Sequence, residues 1–283
     1  MKLFRYGPKG SERPGLIDQD GKMRDLSDHV ADIDGRVLSD PETMTRLAAL
    51  EPARLPLVDG SPRIAEPVAN VGKFLCIGLN YSDHAAEAGA AVPEEPIIFT
   101  KATSAIIGPN DDVVLPPTSV KSDWEVELGI VIGKEARYTP LDQAMEHVAG
   151  FCVVNDLSER EYQLERSGTW DKGKGCDTFG PFGPWLVTRD EFQDYGNAGM
   201  WLDVNGDRMQ TGSTATMIFD VPYLVHYVSQ FMSLQPGDII STGTPPGVGM
   251  GKKPPVYLKE GDRIELGIDG LGMQTQTVRR YGY

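Results

Sequence analysis

The chain is short of positive charge. Its 283 residues carry 27 lysines and arginines against 41 aspartates and glutamates, a formal net charge of −14. That balance speaks against a nucleic-acid footprint or an anionic-membrane surface, both of which need clustered Lys and Arg. Cysteine is scarce too: Cys76, Cys152 and Cys176 are odd in number, widely spaced and without a CxxC pair, which fits reduced, packed thiols in a reducing compartment. No uninterrupted apolar run approaches a membrane span, and the opening "MKLFRYGPKGSERPG" has no signal-peptide core. The expectation is a cytoplasmic protein with a small molecule as its partner and neither membrane nor nucleic acid. Internal repeats and low-complexity tracts are missing, so solenoids drop out. The glycine run "GTPPGVGMGKK" is no Walker A loop, because Pro246 stands where the first glycine is needed and Lys253 where Ser or Thr is needed.

What is present is a chain with 40% hydrophobic residues, enough to bury a substantial core. Residues 1–69 read as a small N-terminal α+β lobe. They hold short strands in "KLFRYG" and "PGLIDQDGKMRDLS" and a helix in "DPETMTRLAALEP" that Asp40 can cap. From residue 70 to 283, short apolar runs rich in β-branched residues are punctuated by Gly and Pro without a βαβ rhythm. The "VNGDR" turn carries the Asn-Gly pair of tight hairpins, and "FDVPYLVHYVSQFMSL" is the clearest helix. The fold class expected is mostly β with some α, a roll or distorted barrel.

Residues 120–136, "VKSDWEVELGIVIGKEA", read as a strand in which Trp124, Val126, Leu128, Ile130 and Ile132 line one buried face. Glu125 and Glu127 then share the other face and repel each other unless something positive lies between them. Asp156, at the end of the apolar run "VAGFCVVND", is a third acid, and three carboxylates suit a hard cation such as Mg2+. The spacing alone fits equally well with two glutamates facing water on an edge strand. In "CIGLNYSDHAAEAG", His84 and Glu87 are three apart on a helix-like turn, the geometry of an imidazole oriented by a carboxylate for general-base work, and also that of an ordinary solvated pair. His226 reads as a helix-face or core residue, and His29 and His147 have no acid arrangement around them.

Six stretches in fixed order, "GLNYSDHAAE", "FTKATSAIIGP", "DWEVELGIVIGK", "NDLSEREYQ", "WDKGKGCDTFGPFGP" and "STGTPPGVG", resemble the fumarylacetoacetate hydrolase superfamily from about Phe74 to the C-terminus. The resemblance implies the fumarylacetoacetase-like fold over residues 70–283 and a Mg2+ or Mn2+ site at Glu125, Glu127 and Asp156. It makes His84 and Glu87 the catalytic pair on a mobile segment, residues 80–96, and Lys174 the active-site lysine, with Lys172 as a solvent-facing neighbour. Arg160, Gln163 and Thr244 match substrate-binding positions. Cys176 departs from the phenylalanine common there. Dimers or larger homo-oligomers are usual in the family.

The implied activity is hydrolysis of the C–C bond of a 2,4-diketo acid to release pyruvate. The stretch "ERSGTWDKGKGCDTFGPFGPWL" looks most like the subgroup acting on 2,4-diketo-3-deoxy-L-rhamnonate or -fuconate, which would give pyruvate and L-lactate. Acylpyruvate hydrolysis, oxaloacetate decarboxylation and 2-oxo-diacid isomerisation share the metal site, and a β-rich binding protein without turnover is the rival from another class.

Overall fold

The computed structural model describes every residue except Ala88, Ala90 and Tyr283. The fold is mostly β, as expected, and its mixed sheets do not close into a barrel. The large sheet runs, edge to edge, through Met23–Asp25, Arg13–Ile17, Lys2–Tyr6, Gly180–Thr188, Val148–Asn155, Val126–Ile132, Ile239–Ser241, Phe74–Gly78 and Ile97–Lys101. Neighbours along this path are antiparallel except Ile239–Ser241 beside Phe74–Gly78. A second sheet orders Asp207–Ser213, Gly199–Val204, Arg263–Ile268, Gly272–Arg280 and Val113–Leu115.

The second sheet lies over one face of the first. Leu128, Ile130 and Ile132 meet Leu202, Leu266 and Ile268 in a shared core, each side chain worth about 1.5–3 kcal/mol for leaving water. The opposite face is covered from the N-terminal 69 residues: Leu26, Ile33 and Leu47 pack with Val131, Cys152, Val154 and Phe182. The first strand also hydrogen-bonds Gly180–Thr188, Leu3 opposite Leu186. The N-terminal stretch thus joins the large sheet through its backbone and supplies the roof of a second core.

This double coverage corrects one expectation. Residues 120–136 are not a strand with one wet face. Every residue of Val126–Ile132 is buried, and the pairing is interrupted before it, with a short bridge of Ser122–Asp123 to Ser158–Glu159. Gly129 is needed on the second face, because a Cβ there would lie 2.7 Å from Cys152 Sγ and 2.8 Å from Val154 Cγ2.

Local signals read from the chain are in place. Asp40 caps the helix Pro41–Ala48. Asn205 and Gly206 take positive φ, 54° and 85°, in the hairpin joining Gly199–Val204 to Asp207–Ser213, the turn in which both central residues must be left-handed. His226 sits half-buried on the helix Val221–Ser229 with Nδ1 2.7 Å from the Thr139 carbonyl. Cys76 and Cys152 are buried, Cys176 is half-buried, and all three are free. None of the described helices is long and apolar enough to cross a membrane. The expected mobile segment, residues 80–96, includes Ala88 and Ala90, which lie outside the described residues; its beginning is the helix Ser82–Glu87.

Candidate metal and active site

Two strand ends converge at the site. Glu125 and Glu127 flank the start of Val126–Ile132, Asp156 follows the end of Val148–Asn155, and these two strands are hydrogen-bonded partners. Asp156 N donates to the Glu125 carbonyl at 2.9 Å, fixing the two acids side by side. One carboxylate oxygen from each of Glu125, Glu127 and Asp156 lies within 4.8 Å of the others, and all three residues are buried.

The positive group between the acids is Lys174. Its Nζ donates to Glu125 Oε2 at 2.6 Å and to Asp156 Oδ2 at 2.8 Å. Lys172 is exposed on the same turn, as its reading as a solvent-facing neighbour implied. Arg160 engages all three of its nitrogens: Nε on Asp123 Oδ2 at 2.9 Å, one amino group on Gln163 Oε1 at 3.0 Å, the other on Glu125 Oε1 at 2.6 Å. Burial works against the charge on Glu125, but Lys174 and then Arg160 outweigh it and hold the carboxyl well below its usual range. Burial likewise opposes the charge on Lys174, and Asp156 and Glu125 together raise its pKa above the ordinary lysine value.

Glu127 is different. It accepts from Ser241 Oγ at 2.5 Å and from Gly243 N at 2.9 Å, and it forms no ion pair with a described Lys or Arg. Burial, followed by the charges of Asp156 and Glu125, pushes its carboxyl well above the carboxylate range. The site therefore holds one acid more than its cations balance: Asp123, Glu125, Glu127 and Asp156 face Lys101, Arg160 and Lys174. Three hard carboxylate oxygens are the donor set that Mg2+ and Mn2+ take, and a divalent ion more than offsets the one unbalanced acid. Glu125, Glu127 and Asp156 are the residues that would hold it.

His84 lines the same cavity, with Glu87 behind it. The helix Ser82–Glu87 follows directly on the strand Phe74–Gly78, and His84 Nδ1 lies 3.0 Å from Glu87 Oε2. Glu87 is in turn anchored by Gly247 N at 3.0 Å. Gly247 has φ 106° and a Cβ there would fall 2.0 Å from the Met209 carbonyl, so only glycine permits this approach. Thr244 also lines the cavity, but its hydroxyl donates to the Val126 carbonyl at 2.9 Å and accepts from Gln210 Nε2 at 2.8 Å. With the Gly243 N–H given to Glu127, the donor this turn has left for a substrate carboxylate is the Thr244 backbone N–H.

Four residues of the site escape a reading by motif. Lys101, with its side chain fully buried, donates to Asp156 Oδ1 at 2.6 Å and to the Leu157 carbonyl at 2.9 Å. Asp123 accepts from Gly249 N, Met250 N and Arg160. Gln210 and Ser241 support Thr244 and Glu127. Lys101 lies inside the quoted "FTKATSAIIGP" and Asp123 inside "DWEVELGIVIGK", so the signal was on the page without a role attached. Gln210 belongs to a different sheet, and nothing in its neighbours in sequence marks it.

A family model for the fumarylacetoacetate hydrolase C-terminal domain matches residues 73–279. The chain belongs to this family. A hydrolase-named protein of Burkholderia ambifaria (strain MC40-6), the name provisional and without a substrate, is 61% identical over 280 residues, 99% of each chain. Among solved structures, the fumarylacetoacetate hydrolase of Exiguobacterium antarcticum superposes with a TM-score of 0.86 at 35% identity, covering 99% of this chain and all of that one. The maleylpyruvate hydrolase of Sphingobium sp. SYK-6, solved with manganese and pyruvate, superposes at 0.82 with 29% identity over the full length of both.

Proposed function

We propose that the protein is a Mg2+- or Mn2+-dependent hydrolase that cleaves the C3–C4 bond of a 2,4-diketo acid and releases pyruvate. The observation that carries this reading is the meeting, in one cavity, of Glu125, Glu127, Lys174 and His84, with Asp156 held behind Lys174 and Glu87 behind His84. Support comes from the family and from the similar maleylpyruvate hydrolase that was solved with manganese and pyruvate.

The chemistry such a cation supplies when bound is Lewis-acid charge at the 2-oxo carboxylate end of the substrate. The Thr244 backbone N–H holds that carboxylate. His84, with Nδ1–H given to Glu87, keeps Nε2 free to take a proton from water. The water oxygen bonds to C4, the C3–C4 bond breaks, and its electron pair passes to C3 as the enolate of pyruvate. Lys174, already committed to the charged form, offsets the negative charge. His84 returns the proton to C3, so one water yields one carboxylic acid and one pyruvate.

Within this class the candidate substrate is 2,4-diketo-3-deoxy-L-rhamnonate or -fuconate, with L-lactate as second product. Decarboxylation of oxaloacetate is the competing reaction on the same residues and needs no attacking water. A panel of 2,4-diketo acids, oxaloacetate and ureidoglycolate with Mg2+, followed by pyruvate release, decides between them. Pyruvate with an equal amount of carboxylic acid from a diketo acid is the expected result; carbon dioxide from oxaloacetate as the dominant product would overturn it.

A further inference from the structure

The charged groups lining the cavity are few: Glu125, Glu127, Arg160 and Lys174, with His84 beside them. Its volume is about 200 Å³, and its apolar lining includes Leu79, Phe99, Leu164, Trp170 and Met250, with Phe99 under the Lys174 ammonium at 4.9 Å. This wall is built rather than incidental. Trp170 stands edge-on to Phe99, ring centres 5.4 Å apart, and lies so close over Gly78 that a Cβ there would meet Trp170 Cζ3 at 2.6 Å. Leu79 is placed by a left-handed backbone, φ 52°, a conformation that a branched side chain rarely takes.

The cations are committed as well. Lys174 is held between Glu125 and Asp156, and each nitrogen of Arg160 already has an acceptor. Arg166 and Lys172, which flank the wall residues in sequence, are engaged with Glu161 and with the Ser167 carbonyl. The helix that brings His84 to the cavity carries Asp83 and Glu87, both acids. Among the described residues lining the cavity, no further Lys or Arg is left to receive a second carboxylate.

Resting on the reading above, we infer that the substrate is a 2,4-diketo monocarboxylate with a short uncharged tail, that Leu79, Leu164, Trp170 and Met250 determine this specificity, and that diacids are discriminated against. A tail methylene that leaves water gains about fourfold in binding. A terminal carboxylate brought against the same wall loses part of its hydration without a charged partner.

The test uses two acids of equal chain length, 2,4-dioxoheptanoate and 2,4-dioxoheptanedioate, which differ only in the terminal carboxylate. With the Mg2+-loaded protein, pyruvate release and the rise in melting temperature on adding each acid are both measured. The monoacid is expected to exceed the diacid in kcat/KM by at least about tenfold and to give the larger melting rise. Leu164→Arg, at a half-exposed position that tolerates a long side chain, should raise kcat/KM for the diacid and lower the ratio. Equal or better turnover of the diacid by the unaltered protein overturns the inference while leaving the hydrolase reading intact. If neither acid is cleaved, the hydrolase reading fails and the melting rise still decides: a larger rise with the monoacid supports the apolar wall, and an equal or larger rise with the diacid refutes it.

Discussion

Replacing Asp123 by asparagine removes one charge from the floor of the site and changes almost nothing in shape. The Asp123 side chain is fully buried, and its two oxygens divide their work. Oδ1 accepts from Gly249 N at 2.6 Å and Trp124 N at 2.8 Å, while Oδ2 accepts from Arg160 Nε at 2.9 Å and Met250 N at 3.0 Å. Whichever way an asparagine amide turns, one edge presents N–H to two N–H donors. On the Arg160 edge the loss is a charge-assisted bond of about 1.5–3 kcal/mol and a neutral one of about 1 kcal/mol, and removing one partner of a buried ion pair costs about 3–5 kcal/mol in all. Taking the lower value, Asp123→Asn should melt about 6–12 °C below the parent, measured by calorimetry with saturating Mg2+. Because Arg160 also holds Glu125, pyruvate release should fall with it. A variant that melts within about one degree of the parent and keeps full turnover would refute the claim that Asp123 ties Arg160 to the Gly249–Met250 turn.

Three further outcomes follow from the geometry. His84→Ala should leave the melting rise with Mg2+ unchanged and cut hydrolytic turnover by about a hundredfold; parental turnover would show that another group activates the water. Chelation should lower the melting temperature of the parent, since cation at about a hundred times its dissociation constant stabilises by about 2.7 kcal/mol, and Glu125→Gln should lose most of this response; a variant as sensitive to chelator as the parent would place the cation elsewhere. The Tyr6 hydroxyl donates to Asp25 Oδ2 at 2.6 Å, and burial followed by Asp25 raises its pKa from 10.0 to about 12. The fold favours the neutral phenol, so this stabilisation is fully present below pH 10 and is lost as pH rises from 10 to 12. The stability gap between the parent and Tyr6→Phe should shrink across that window, and a constant gap would contradict the assignment.

Much of this protein could be read before any coordinates. Alternation marked Val126–Ile132, the Asn-Gly pair marked its hairpin, and Asp40 marked a helix start, because these are local preferences of backbone and cap that hold within a few residues. The ordered stretches carried Glu125, Glu127, Asp156, His84 and Lys174 to one family, and three acids with no cation beside them in sequence already required a positive group from elsewhere. Which group that is depended on the fold. Lys174 arrives from a short turn 49 residues beyond Glu125, and Lys101 reaches Asp156 across 55 residues, distances over which spacing carries no information. The second face of Val126–Ile132 is buried only because the N-terminal residues fold back over it, and a strand's own alternation cannot reveal what will cover it. The apolar wall is likewise a tertiary product. Leu79, Phe99, Leu164, Trp170 and Met250 come from five separate places in the chain, and only packing, in which Gly78 yields its space to an indole, brings them to the cavity that holds the charges.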